Sequence, residues 1–122
     1  MSKSHALSFS RVPAVVLYEE ERDNMWSSWQ DYIIATRTKQ GAFTVLARKY
    51  GDEFLDGSTK QKWFLIHKVT NIKNPQEFFK AVTACEFELS VDVFWEDVIS
   101  AVKELDENFS KALGDFVNLQ IN

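Results

Sequence analysis

Up to about residue 70 the chain consists of short stretches in which hydrophobic and polar residues alternate, and Gly41, Gly51 and Gly57 separate them. Alternation of this kind, interrupted by glycine, predicts β-strands joined by turns. We expect strands at residues 14–20, 29–39, 42–50 and about 60–70. The second and third should form a hairpin that turns at residues 39–41, and an acidic loop over residues 51–58 should lead to the fourth.

After residue 70 the pattern becomes helical. Asn74 can cap a helix, Pro75 suits its first turn, and Glu77 stands where a capping carboxylate is expected. A second helix is predicted from about Ser90, because apolar residues recur at spacings of four and three: Val91, Trp95, Val98, Val102, Leu105, Phe109, Ala112 and Phe116. Such a narrow seam suits another helix, either within the monomer or across a homodimer, and the sequence leaves both open.

These elements predict an α+β fold in one domain. Its parts are a flexible N-terminal tail at residues 1–12, a sheet-plus-helix core at residues 13–86 and an amphipathic helical extension at residues 87–122. No apolar stretch is long enough to cross a membrane, and the first residues lack the apolar segment of a signal peptide. We therefore expect a protein that is not secreted, cytoplasmic in a bacterium or virus and nuclear in a eukaryote.

Cysteine and histidine are too few for disulfides or a zinc site. Cys85 is the single cysteine, and His5 and His67 are the two histidines, so neither an internal disulfide nor a zinc-type ligand set is available. No nucleophile is paired with a base, and no glycine-rich phosphate loop is present. We expect no cofactor, no metal and no enzymatic activity, and we interpret Cys85 and His67 as core residues.

Charge is divided along the chain, although the net charge is only −4. Residues 35–73 carry eight Lys or Arg against three carboxylates, whereas residues 75–122 carry three Lys against ten carboxylates. A positive segment in an acidic chain indicates a binding site for a polyanion. Chance segregation of charge is the alternative, and on this feature alone the two are about even.

Strand alternation predicts that the basic residues lie among aromatic and apolar ones. In the first strand of the hairpin, one face is expected to hold Ile33, Ala35, Arg37 and Lys39. In the second, one face holds Thr44, Leu46, Arg48 and Tyr50, and the other holds Phe43, Val45 and Ala47. In the last strand, one face holds Lys60, Lys62, Phe64, Ile66 and Lys68, and the other holds Trp63, Leu65, His67 and Val69. Cations interleaved with rings suit single-stranded nucleic acid, because they neutralise phosphates while bases stack at about 1–3 kcal/mol each. A solvated sheet edge with scattered lysines is the alternative.

Residues 31–82 resemble the C-terminal domain of the transcriptional coactivator family called positive cofactor four. The shared features, in order, are a strand with an Arg near its end (Ile33 to Arg37), a strand that ends in Ala47, Arg48, Lys49 and Tyr50, an acidic loop with glycine, the basic Lys60, Gln61 and Lys62, and a helix start at Asn74, Pro75, Gln76, Glu77 and Phe78. The resemblance implies a strongly curved antiparallel four-stranded sheet followed by a helix. It also implies a homodimer that binds single-stranded DNA with little sequence preference.

Position by position, the resemblance implies that Arg37 and Arg48 contact the DNA backbone and that Lys60 and Lys62 match a basic pair at the start of the last strand. Gly51 stands where the family has a stacking aromatic residue, so Tyr50, Phe54 or Trp63 would have to replace it. Residues 87–122 have no counterpart in the family core. The candidate nucleic-acid-binding residues are Arg37, Lys39, Arg48, Tyr50, Lys60, Lys62, Trp63 and Lys68.

We therefore expect a protein that binds single-stranded DNA and acts as a transcription coactivator or as an accessory factor in replication or recombination. A transcription or replication protein would be a further partner, and RNA fits the same contacts. The alternative is an interaction protein, such as an inhibitor or immunity protein, whose acidic helical surface binds a basic partner. The ten carboxylates of residues 75–122 favour that second interpretation.

Overall fold

The computed structural model describes residues 13–23, 28–55 and 58–121, and the tail expected at residues 1–12 lies outside that part of the chain. The strands are β1 Ala14–Asp23, β2 Ser28–Arg37, β3 Phe43–Leu55 and β4 Ser58–Ile72. The helices are α1 Pro75–Leu89, α2 Trp95–Lys103 and α3 Glu107–Ile121. The strands form one antiparallel sheet in the order β1-β2-β3-β4, so β1 and β4 are its edges. An α+β fold with a four-stranded antiparallel sheet followed by helices is thereby confirmed.

The β3–β4 hairpin is longer than the sequence pattern predicted. The acidic loop expected over residues 51–58 is wrong, because β3 continues to Leu55 and β4 begins at Ser58. Gly51 and Asp52 pair with Lys62 and Gln61. Glycine and aspartate are poor strand formers, but strand propensity depends on context, and pairing along the ladder outweighs it here.

The single long helix expected from about Ser90 is also wrong, since α2 ends at Lys103 and α3 begins at Glu107. The Asp106 carboxylate accepts a hydrogen bond from the Phe109 amide (3.0 Å), which is typical of a residue that caps a helix start. Leu105 and Phe109 pack against the core on either side of this break. The apolar spacing therefore continues through the break and hides it in the sequence.

Helix α1 begins as predicted. The Asn74 side chain accepts a hydrogen bond from the Glu77 amide (2.9 Å), and the Glu77 carboxylate accepts one from the Lys73 amide (3.1 Å). Pro75 stands in the first turn, where its missing N–H costs nothing. From this start α1 packs on β3 and β4, α2 packs on β1, and α3 packs on both other helices.

One hydrophobic core joins the helices to one face of the sheet, here termed the helix-side face. Its fully buried members include Ile33, Ala35, Val45 and Ala47 from the strands and Phe78, Val82, Val98, Val102 and Leu113 from the helices. The opposite, outer face buries a smaller cluster of Tyr32, Ile34 and Leu46. Residues 31–36 are all buried, so β2 is an interior strand covered on both faces. The seam residues Val98 and Val102 thus pack within the monomer.

Two irregularities in β4 change which side chains share a face. At Ile66 β4 advances by two residues while β3 advances by one, and a second extra residue lies near Asn71, whose φ is 59°. Asparagine tolerates this left-handed conformation, and such bulges redirect a strand. The common face expected for Lys60, Lys62, Phe64, Ile66 and Lys68 is therefore wrong. Lys62 lies on the helix-side face, whereas Lys68 pairs with Leu46 on the outer face.

Candidate nucleic-acid interface

The eight candidate residues from the sequence do not form one surface. Lys60 and Lys62 lie on the helix-side face near the β3–β4 hairpin, and Arg37 lies on the same face at the other end of the sheet. Lys39 lies in the turn between β2 and β3. The remaining candidates lie on the outer face: Arg48, Tyr50, Trp63 and Lys68. The structure thus separates Arg37 from Arg48, the two residues that the resemblance assigned to one DNA backbone.

Two aromatic rings and two lysines meet on the helix-side face near the β3–β4 hairpin: Trp29, Lys49, Lys62 and Phe64, here termed the Trp29 cluster. The ring centroids of Trp29 and Phe64 are 5.7 Å apart. The Lys49 ammonium lies 5.2 Å from the Trp29 ring centroid, and the Lys62 ammonium lies 5.0 Å from that of Phe64. Both distances are in the range of cation–π attraction, so each ring has a cation held beside it.

Gly51 makes room for the Trp29 ring. The two residues are partners in the β2–β3 ladder, and a Cβ at Gly51 would overlap the six-membered ring of the indole. Glycine in a strand interior often marks such a close approach. Gly51 is also the position where the resemblance implies a stacking aromatic residue. Trp29, from the neighbouring strand, covers that position.

A second aromatic group lies on the outer face. The Trp63 ring centroid is 5.4 Å from that of Tyr32 and 5.1 Å from that of Tyr50, and the Arg48 guanidinium lies 4.7 Å from the Trp63 ring centroid. Tyr32 is fully buried, as is the Nε atom of Arg48. Burial lowers the pKa of Arg48. Arg48 therefore contributes to the packing of this face, which its pattern in the sequence did not indicate.

Beside this group the outer face has a hollow of about 270 Å³, lined by Ser28, Gln30, Tyr50 and Gln61. The Tyr32 hydroxyl donates a hydrogen bond to the Gln30 side-chain oxygen (2.7 Å) and so fixes the orientation of that amide. Each glutamine amide has donor and acceptor groups. The hollow therefore combines a ring with groups that could bind the polar edge of a base.

Arg37 is engaged within the protein. Its guanidinium Nη2 lies 3.1 Å from Oδ2 of Asp106, at the break between α2 and α3. Its backbone amide donates a hydrogen bond to the Pro13 carbonyl (3.1 Å). Arg37 thus connects the end of β2 to the helices. Lys39 is exposed in the adjoining turn, which Gly41 completes with a φ of 86°.

Strand β4 forms a basic edge of the sheet. Residues 58–73 contain four lysines and no carboxylate. All four are exposed: Lys60, Lys62, Lys68 and Lys73. At about 3.3 Å per residue, the strand extends over roughly 50 Å. A row of exposed lysines without carboxylates on the same strand attracts polyanions.

A buried carboxylate lies beside the Trp29 cluster. Asp31 is 1% exposed, and its Oδ2 lies 2.8 Å from Nε of Arg22. Arg22 also lies 3.0 Å from Glu20 and donates a hydrogen bond to the Leu89 carbonyl at the end of α1 (3.1 Å). Burial raises the pKa of Asp31, although the positive charges of Lys49 and Arg22 oppose this. Arg22 and Asp31 thus link β1, β2 and the end of α1.

Cys85 and His67, both interpreted from the sequence as core residues, differ in burial. Cys85 is fully buried in α1, and burial raises the pKa of its thiol to about 12, which leaves it protonated at neutral pH. His67 is half-buried on β4. Within the described ranges, no three or more His, Cys, Asp or Glu side chains are grouped so as to hold a metal ion. In the same ranges no helix has the length and apolar character to cross a membrane.

Trp29, Lys49 and Phe64 were not among the sequence candidates. One signal for them existed, because Gly51 directly follows the predicted strand residue Tyr50, and a glycine within a strand suggests that another group approaches the backbone. The identity of that group depends on the pairing of β2 with β3. Phe64 was expected to share a face with Lys62, and it does, since both precede the bulge at Ile66.

No family model, no curated protein and no solved structure matches this chain. The resemblance to the positive cofactor four family therefore stays a prediction.

Proposed function

We propose that this chain binds single-stranded nucleic acid along the basic edge strand β4, with the Trp29 cluster as the surface on which bases stack. One observation supports this above the others. Two neighbouring rings, each with a lysine beside it, lie at one end of a strand that has three exposed lysines and no carboxylate. A single strand needs cations for its phosphates and rings for its bases, and this surface brings lysines together with two half-buried rings.

The phosphate contacts would come mainly from Lys60 and Lys62. Both are exposed, and they point to the same face because they are two residues apart in a regular part of β4. Lys49 lies in the neighbouring strand, above the Trp29 ring. A nucleic acid backbone that follows β4 would thus meet cations from two adjacent strands.

The outer face provides a second set of contacts for a strand that crosses the β4 edge. Lys68 is exposed on that face, and the hollow beside Tyr50 has the amides of Gln30 and Gln61 in its wall. Glutamine amides can bind the Watson–Crick edge of a base only where that base is unpaired, as in a single strand. This arrangement favours single strands over duplexes.

The role that fits this activity is that of a dimeric accessory protein in transcription, replication or recombination, as the resemblance to positive cofactor four implies. The proposal is for a binding protein, and no reaction is assigned to it. DNA is proposed as the ligand, and RNA is the alternative that the same contacts would accept.

Fluorescence anisotropy with labelled oligonucleotides tests the proposal. Single-stranded DNA, single-stranded RNA and duplex DNA of the same sequence are compared at low and moderate salt. We expect the tightest binding to a single strand, and an affinity that falls as salt increases because counterions are released. Tighter binding to RNA would change the proposed ligand. Absence of binding to all three at low salt would contradict the proposal.

A further inference from the structure

Two phenylalanine rings stand in solvent at the junction of α1 and α2. Phe87 is 90% exposed and Phe94 is 77% exposed. The Glu86 carboxylate accepts a hydrogen bond from the Val93 amide (2.9 Å), and each phenylalanine directly follows one of these two residues. Standard bond lengths then keep the two phenylalanine Cα atoms within about 17 Å of each other. The backbone positions that carry the two rings are therefore close together.

Each ring borders a hollow. Phe87 and Asp92 line a groove of about 480 Å³ at the end of α1, together with Thr83 and Val91. Phe94 and Asp97 line a second hollow of about 320 Å³ against residues 16–19 of β1. Exposed aromatic rings beside a concave surface are typical of sites where another molecule docks.

The surroundings of the rings are acidic. Residues 81–102 contain five carboxylates and no Lys or Arg. Four of these carboxylates are exposed: Glu88, Asp92, Glu96 and Asp97. The fifth, Glu86, is half-buried, and burial raises its pKa. Such a surface repels acidic partners and nucleic acid and attracts cationic ones.

We infer that the Phe87–Phe94 patch, made of these two rings and the four exposed carboxylates, docks a lysine- and arginine-rich segment of another protein. Apolar side chains of that segment enter the two hollows and cover the rings, and its cations pair with the surrounding carboxylates. No residue of the patch belongs to β4 or to the Trp29 cluster. The inference therefore does not depend on nucleic acid binding.

Fluorescence polarisation with three labelled peptides of equal length tests the inference. One alternates arginine and leucine, one alternates arginine and glycine, and one alternates glutamate and leucine. We expect the arginine–leucine peptide to bind most tightly. The double variant Phe87→Ser and Phe94→Ser should weaken its binding by about tenfold or more, as loss of anchor rings does in other interfaces.

The matched control is Leu119→Ser, because Leu119 is 78% exposed on α3, outside the patch. It should leave peptide binding unchanged, and circular dichroism should show all variants folded, since the altered side chains are exposed.

The inference is overturned if the glutamate–leucine or arginine–glycine peptide binds as tightly as the arginine–leucine peptide, or if the double variant binds like the parent. It is also overturned if sedimentation shows that the patch joins two copies of this chain. Single-stranded DNA binding should be the same in the parent and the double variant.

Discussion

The Trp29 indole lies against the backbone of Gly51, its ladder partner, and leaves no space there for a side chain. Gly51→Ala should push the ring out of place. We expect it to lower the free energy of unfolding by about 1–3 kcal/mol, the usual cost of inserting a methyl group into a filled space. Urea denaturation followed by circular dichroism measures this change.

Gly114→Ala is the matched control for this substitution. A Cβ at Gly114 would lie 3.8 Å from Cδ1 of Ile99, an ordinary contact, in the interior of α3. Alanine is the better helix former, so this variant should be more stable by about 0.5–1 kcal/mol. In a Trp29→Ala background Gly51→Ala should cost little. An equal cost with and without Trp29 would show that the ring is not the cause.

Loss of one lysine from the proposed interface should weaken nucleic acid binding for all sequences alike. Lys62→Gln should lower the affinity for single-stranded DNA and make the salt dependence shallower by about one unit, as expected for one phosphate contact. Titrations over a range of salt concentrations measure both effects. Lys60→Gln should behave similarly, because the two lysines share a face.

Two further variants serve as controls for that result. Lys111→Gln removes an exposed lysine from α3 and should change neither affinity nor salt dependence. Lys68→Gln removes a lysine from the outer face and should have a smaller effect than Lys62→Gln. If Lys68→Gln has the larger effect, the outer face is the main interface and the role proposed for the Trp29 cluster is wrong.

The order and type of most elements could be predicted because each depends on local pattern. The start of α1 is an example, since Asn74, Pro75 and Glu77 act through contacts within a few residues. The break between α2 and α3 could not be read from the apolar spacing, which continues through Leu105 and Phe109. The capping carboxylate of Asp106 was visible in the sequence, but an aspartate is equally common on a helix surface.

The candidate site was harder to predict because it depends on register. A bulge moves every later side chain of a strand to the other face. Ile66 is a typical residue of a regular strand, and Asn71 is not unusual near the end of one. The prediction therefore put Lys62 and Lys68 on one face. Trp29 was missed because its partner, Gly51, lies in another strand.

Arg37 should matter for stability rather than for nucleic acid binding, because its guanidinium pairs with Asp106. We expect Arg37→Gln to lower stability by about 0.2–1 kcal/mol, the usual range for a partly exposed pair. Asp106→Ala should cost more, since it also removes the cap on the Phe109 amide, worth about 0.5–2 kcal/mol. A double-mutant cycle in urea isolates the pair. If the Arg37→Gln protein is folded but binds oligonucleotides markedly more weakly, Arg37 contacts nucleic acid after all.

Asp31 should make the protein less stable as the pH rises from acid towards neutrality. Burial raises its pKa above the ordinary value of 3.8, so the folded protein holds this proton more tightly than the unfolded chain does. Stability is therefore lost as pH rises from that ordinary value through the raised pKa. Burial raises the pKa of Glu86 as well, which adds a dependence of the same sign.

Asp31→Asn removes the charge while Arg22 keeps its contact with Glu20. We expect this variant to be at least as stable as the parent at neutral pH, and its free energy of unfolding to change less with pH. Glu86→Gln is the control, because it removes the pH dependence that comes from Glu86. Urea midpoints measured between about pH 4 and 7 give both quantities. An Asp31→Asn protein that is less stable than the parent at neutral pH would mean that attraction to Arg22 and Lys49 outweighs the cost of burial. In that case the pKa of Asp31 is lowered in the fold.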